Sequence, residues 1–267
     1  MTSSDTRESA AHLRKVQLYF NERADFWSDL YDKPESGNDR VLANRTKLAV
    51  RMITERTPSG SLVLDAGCGG GVASLALAMH GYSVHGLDIA AGLLRHAEVR
   101  LQSSPVPGDK WKFTHNDLLG AGFADHSFDA AVALGFIQYQ TDELQTLEEL
   151  RRILKPGGCL VITGPTKHRL SVWLDFEKHI KSLRRRFSAS SDAKSSKSTE
   201  LERVLEISPH NYSPARFRKL LEDSGFTVQE YVGHGFGDYN RQLESLARVL
   251  PIGRWGNDLV FSATKRL

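Results

Sequence analysis

Val63-Leu-Asp-Ala-Gly-Cys-Gly-Gly-Gly71 sets a short apolar run against a cluster of glycines. Residues 61–65 read as a buried strand, and residues 72–80, rich in alanine and leucine, as a helix. Glycines at such a strand-to-helix turn permit positive φ and let a ligand press against the main chain. The same turn would also serve plain packing of helix on strand, so its neighbours must decide. Downstream, apolar runs at 82–88, 111–115, 128–134 and 159–163 alternate with helical patterns at 90–101 and 141–154, the second stopped by Lys155-Pro-Gly-Gly158. Two further runs, 226–232 and 258–264, read as closing strands.

Strands alternating with helices require right-handed crossovers and a sheet covered on both faces. The expected fold is therefore α/β: a Rossmann-like, mostly parallel seven-stranded sheet with N-terminal helices and a helical insertion before the sixth strand. Residues 1–10 read as a loose tail, 11–24 and 40–56 as helices, and the stretch from Tyr31 to Asn38 as turn chemistry. The alternation breaks at 167–212, which is helical, then basic, then serine-rich, before Ser213-Pro214 caps a new helix. The expected organisation is an N-terminal helical cap (1–58), a core (59–166 with 213–267) and an insertion (167–212) over the substrate side.

Composition narrows the classes. The 267 residues carry 35 Lys+Arg against 32 Asp+Glu, a net charge of +3, too small to imply nucleic acid. No run reaches the roughly 18 apolar residues of a membrane span. The polar start lacks the apolar core of a secretory signal, so a cytoplasmic location is expected. Cys68 and Cys159 are too few for a disulfide framework or a cysteine zinc site and read as small hydrophobes. His115-Asn-Asp117 is too sparse for a metal, and none is expected.

The second strand ends in Asp88, 21 residues after Gly67, where this architecture sets a carboxylate against ribose hydroxyls. An Asp there could equally cap the next helix. A dinucleotide fingerprint starting at Gly67 would need a small third residue where this chain has Val72, and no G-K-[ST] follows. The loop therefore suits a ribose-bearing cofactor without phosphates, with Asp65 placed to compensate an ammonium group.

The motifs Val63–Gly71, Gly86-Leu-Asp88, Asn116-Asp117, Phe128-Asp-Ala-Ala131 and Leu150-Arg-Arg-Ile-Leu-Lys-Pro-Gly-Gly158 resemble, in order and spacing, those of class I S-adenosylmethionine-dependent methyltransferases. The resemblance covers about residues 40–165. It implies S-adenosyl-L-methionine as cofactor and S-adenosyl-L-homocysteine as product, Gly67 and Gly69 against the methionine part, Asp88 on the ribose, Ile89 on the adenine face and Asp117 at the adenine amino group. Leu134 and Gly135 would pass near the transferring methyl. Phe20-Asn-Glu-Arg-Ala-Asp-Phe-Trp27, followed by Arg45, is similar to quinone-type and natural-product O-methyltransferases, which implies that Arg45 meets the cofactor carboxylate. His210-Asn-Tyr-Ser-Pro214 looks like a substrate-side loop of that group. The chain departs from the quinone-type pattern after the fourth strand, where Gly135-Phe-Ile-Gln-Tyr139 replaces an acidic-His-Val pattern.

A neutral hydroxyl acceptor must lose a proton, commonly to His or a carboxylate. His210 is the first candidate base, then His168 and Tyr139, with His234 beyond them; each reads equally as an ordinary surface or core residue. Trp173 and Phe176, with Phe20, Phe26 and Trp27, suit an apolar cap over a hydrophobic or aromatic small-molecule acceptor. The basic run Lys181–Arg186 suits a weak peripheral contact with anionic lipid, or simply a solvated helix face. An N- or C-methyltransferase, a nicotinamide oxidoreductase and a non-catalytic cofactor-binding module are the alternatives to O-methylation.

Overall fold

The computed structural model describes residues 3–32, 37–166, 210–234 and 258–266. Seven strands form one sheet: β1 (Leu62–Ala66), β2 (Ser83–Asp88), β3 (Trp111–His115), β4 (Phe128–Ala133), β5 (Leu154–Pro165), β6 (Phe226–His234) and β7 (Asp258–Lys265). Their order is β3-β2-β1-β4-β5-β7-β6. The first five are parallel, and β7 runs antiparallel between β5 and β6. The chain leaves β1 toward β2 and later returns to β4 on the other side, so the connections diverge at the carboxyl ends of β1 and β4. That divergence opens the crevice where ligands bind in such sheets.

The β1 sequence explains its central place. Val63 and Leu64 are both fully buried because both faces are covered. Val63 joins Val84, Ala130, Val132, Val161 and Val260 under Met52 and Ile53 of α3 (Gly37–Thr54) and Leu77 of α4 (Val72–Met79). Leu64 joins Ala131, Leu160 and Phe261 under Leu147, Leu150 and Ile153 of α6 (Glu143–Ile153) and Phe217 and Leu221 of α7 (Pro214–Asp223). On the edge, α5 (Ala91–Gln102) buries Leu93 with Ala24, Phe20 and Trp27.

Two boundaries depart from expectation. Helix α1 spans Ser3–Glu22 and α2 spans Ala24–Asp32, where a loose tail, one helix and a turn beginning at Tyr31 were read. Tertiary contacts outweigh local propensity here: Ser9 meets Thr141 at 2.8 Å, and Ala24 packs beside Ala90 and Leu93. Strand β5 begins at Leu154, taking in Lys155-Pro-Gly-Gly158, because Leu154 already pairs with Phe128 before the register shifts to Ala130–Cys159. Positive φ at Gly157 accommodates the irregularity. Trp173, Phe176, Lys181–Arg186 and the insertion proper lie outside the described residues. No helix among the described residues is long and apolar enough to cross a membrane.

Gly71 and Gly60 separate backbone strain from packing. Both have positive φ, 73° and 86°. A Cβ on Gly71 would lie 2.8 Å from the Ala97 Cβ, while one on Gly60 would meet nothing within 4 Å. Gly60→Ala should cost about 1 kcal/mol, and Gly71→Ala about 3 kcal/mol because overpacking adds to strain. Urea denaturation of the two variants checks the difference.

Candidate functional site

The loop after β1 is wound tightly by its glycines. Gly67, Gly69 and Gly71 take φ values of 71°, 52° and 73°. The amides of Gly67 and Cys68 both donate to the Leu87 carbonyl, at 2.8 and 3.0 Å, and that of Gly71 donates to the Cys68 carbonyl at 2.9 Å. The Gly69 amide donates to Asp88 Oδ2 at 2.8 Å, while Asp88 Oδ1 accepts from the Ala90 amide at 2.8 Å. Asp88 thus ties the loop to the start of α5. These four loop amides are already satisfied inside the protein and present no cradle for a phosphate.

Beneath the loop, Asp65 is 1% exposed and accepts from the Ser74 hydroxyl at 2.6 Å. Burial pushes its carboxyl up to about 7, partly relieved by Ser74 and reinforced by the neighbouring Asp88. Burial also raises Asp88, against backbone donors at Ala90 and Gly69. Two carboxyl groups therefore bear on one loop, with their ionised forms short of positive partners. The surroundings suit a cation and oppose a diphosphate.

At the end of β4, Leu134 is half-buried and Gly135 has φ 70°, its amide donating to Thr163 Oγ1 at 2.8 Å. A Cβ on Gly135 would lie 3.2 Å from Arg45 Nη1, so the guanidinium lies flush against the glycine. Arg45 pairs with Asp258 at 3.2 Å and donates to the Tyr31 hydroxyl at 2.8 Å. Its Nε is buried and has no hydrogen-bond partner among the described residues. Phe136 turns back over the loop: a Cβ on Gly67 would stand 2.7 Å from its ring.

Helix α1 lies across these strand ends. Gln17 and His115 both donate to the Ile89 carbonyl at 2.9 Å, and Asn21 accepts from the Gly92 amide at 2.8 Å, capping α5 from outside it. His12 donates to the Tyr139 carbonyl at 2.9 Å, and Phe20 sets its ring edge-on to Tyr139 at 5.3 Å. Burial raises the Tyr139 phenol, with Tyr19 beside it. Asp117 folds into its own turn, accepting from the Gly120 amide at 2.8 Å.

The structure thus brings Asp65 and Asp88 against the loop that holds Gly67 and Gly69, with Ile89 and Asp117 beyond its β2 side and Arg45, Leu134, Gly135 and Tyr139 on its β4 side. His210 lies over the start of α6, its amide donating to the Gln138 carbonyl at 3.1 Å and its Nδ1 2.6 Å from Glu143 Oε1. His234 ends β6 opposite Asp258, and His168 lies outside the described residues. Phe136, Glu143, Tyr212 and Asp258 enter the picture only with the structure. Of these, Phe136 and Tyr212 stood within quoted stretches, and none had a role that spacing could assign.

Residues 64–162 match a family described as "Methyltransferase domain". Among curated proteins, the chain is 33% identical over 139 residues to a demethylmenaquinone methyltransferase of Clavibacter sepedonicus, covering 51% of this chain and 53% of that one. It is 30% identical over 159 residues to a ubiquinone biosynthesis O-methyltransferase of Paracidovorax citrulli, covering 59% and 63%. The chain thus spans less than two-thirds of the length of these relatives. A SAM-dependent methyltransferase structure from Methanosarcina mazei superposes with a TM-score of 0.58 at 25% identity, covering 81% of this chain and 97% of that one. The magnesium protoporphyrin IX methyltransferase of Synechocystis, solved with bound SAH, shares the fold at 19% identity, with a TM-score of 0.64 and coverage of 95% and 99%. The matched residues run from β1 into β5 and include the glycine loop, so the likeness falls on the part of the sheet that carries the site.

Proposed function

We propose that the protein methylates a small hydrophobic or aromatic acceptor from S-adenosylmethionine, with oxygen as the favoured acceptor atom. The observation that carries this reading is the loop's donor set. Four of its amides are satisfied internally and two carboxyl groups bear on it, which suits a cationic nucleoside without phosphates. When bound, that cofactor supplies an electrophilic methyl carbon, whose bond to sulfur breaks with its electron pair going to sulfur as the acceptor bond forms.

The remaining work falls to the protein. Asp88 has two oxygens and spends one backbone hydrogen bond on each, which leaves acceptor capacity for ribose hydroxyls. Gly69 leaves open space above it, where a Cβ would meet only Leu93 at 3.9 Å. Arg45, with its unpaired buried Nε, suits the cofactor carboxylate, and Asp65 the ammonium. Ile89 and Asp117 frame the adenine side, and Leu134, Gly135 and Tyr139 the methyl side. Helices α1–α3 would act as a cap that excludes water and holds the reactants aligned. The quinone-related names of the relatives support a ring-bearing acceptor.

The test is transfer of labelled methyl from S-adenosylmethionine to a panel of alkylated phenols and catechols, with amines and carbon acids alongside. Ether formation on a phenol, with S-adenosylhomocysteine released, is expected. Cofactor binding without transfer to any acceptor would overturn the catalytic reading in favour of a binding module. Two linked calorimetric results follow. Asp88→Ala should weaken S-adenosylhomocysteine binding by about 1.5–3 kcal/mol. Asp65, raised to about 7 in the free protein, is largely protonated at a lower pH, and a bound ammonium favours its ionised form. Binding near pH 6.5 should therefore release a fraction of a proton, and affinity should rise with pH toward 7. Asp65→Asn should abolish that release, which comparison of buffers with different ionisation enthalpies measures.

A further inference from the structure

We infer that Glu143 is the positioning residue for His210: it holds the Nδ1–H and so commits Nε2 to receive the acceptor's proton. This rests on the methyl-transfer reading above, since a base is needed only if a hydroxyl acceptor is used.

Geometry carries the assignment. Glu143 lies in the first turn of α6, directly after the segment Gly135–Tyr139 that leaves β4. His210 is fixed to that same segment, its amide donating to the Gln138 carbonyl at 3.1 Å. Two residues on, the Tyr212 amide donates to the Pro165 carbonyl at 2.8 Å, which pins the segment at the end of β5. The imidazole is thereby held at the carboxyl edge of the β4–β5 pair, the side on which an acceptor would meet the methyl group.

The carboxylate is itself held from several sides. Glu143 Oε1 lies 2.6 Å from His210 Nδ1 and accepts from the Tyr212 hydroxyl at 2.6 Å, while Arg216 stands 3.8 Å from Oε2. Tyr212 cannot swing away: it is fully buried, with its ring stacked on Phe217 at 4.6 Å. Burial and the Glu143 carboxylate raise its phenol, so it remains a donor. The start of α6 also favours negative charge at Glu143. Exposure divides the pair usefully: the Glu143 side chain is 12% exposed and His210 48%. One partner is withdrawn from water while the other remains open to a reactant.

The chemistry follows from the donor inventory. An ionised carboxylate has no proton to give, so the nitrogen facing it must carry one, and the neutral ring then presents a lone pair at Nε2. In the transfer the acceptor O–H bond breaks, its electron pair stays on oxygen for attack, and the proton bonds to Nε2. The resulting imidazolium lies against Glu143, whose charge stabilises it in the manner of an orienting carboxylate. The ring's exposed side returns the proton to water. A carboxylate that merely latched the 210–216 segment would set the same tautomer, but its loss would leave the pH dependence of methyl transfer unchanged.

The pH profile of methyl transfer to a phenol separates these roles: Glu143→Gln should lower kcat and move its acid limb to lower pH with KM for S-adenosylmethionine unchanged, and an unaltered profile would overturn the inference. Long-range proton–nitrogen NMR of the folded protein, at a pH where imidazoles are neutral, tests the tautomer itself. The His210 signals are identified by their absence in His210→Asn. The expected wild-type spectrum is the Nδ1–H tautomer, reverting toward Nε2–H in Glu143→Ala. An Nε2–H tautomer in the wild type would overturn the inference, as would an Nδ1–H tautomer unchanged in Glu143→Ala. The wild-type spectrum decides the first point even where Glu143→Ala fails to fold. S-adenosylhomocysteine binding by the same wild-type sample separates the two claims: binding with the wrong tautomer sinks only the inference, and no binding sinks the methyl-transfer reading.

Discussion

Asp88 does at one position what the rest of the site requires. Its two oxygens take the Gly69 and Ala90 amides at 2.8 Å each, so one carboxylate joins the glycine loop after β1 to the helix after β2. Without that bridge, a loop with three left-handed glycines would have little to fix its path. The bridge also depends on the sheet: β1 and β2 pair in register from Leu62–Ser83 to Ala66–Leu87, which delivers Asp88 to the level of the loop. The Leu87 carbonyl then captures two further loop amides. The path of the loop and the shape of the site are therefore set by the same few hydrogen bonds, on a sheet that its two apolar layers hold in place.

A consequence is electrostatic. Satisfying loop amides with a carboxylate places negative charge where other α/β folds place phosphate, and Asp65 buried below adds to it. The positive counterpart is Arg45 on the opposite side of the crevice, against Gly135 and paired with Asp258. A ligand with a cationic centre and a carboxylate could match both sides, provided its carboxylate shares Arg45 with Asp258. Helix α1, bonded at Ile89 and Gly92 at one end and at Tyr139 and Thr141 at the other, bridges the same crevice.

Much of this was legible in the sequence where local rules dominate. The strand–loop–helix at Val63–Gly71 and the acid ending β2 follow from chain geometry, because strand length and crossover length fix how far apart they stand. What escaped reading depends on contacts that no local pattern encodes. Arg45 and Asp258 are 213 residues apart, and Glu143 and His210 are 67 apart. Phe136 follows Gly135 in a segment whose local pattern points to no partner, yet its ring covers Gly67. The ends of α1 and α2 differ from the local reading for a related reason, since polar residues such as Ser9 and His12 are held in the helix by their partners Thr141 and Tyr139. The start of β5 was missed because a Lys-Pro-Gly-Gly run reads locally as a stop.

The central claim is that an acidic loop with satisfied amides takes a phosphate-free cationic nucleoside. Calorimetric titration of the purified protein with S-adenosylmethionine, S-adenosylhomocysteine, decarboxylated S-adenosylmethionine and NAD, each separately, tests it most directly. The account predicts binding of the first two, weaker binding of the decarboxylated form because Arg45 loses its partner, and no heat from NAD. Binding of NAD alone would contradict it.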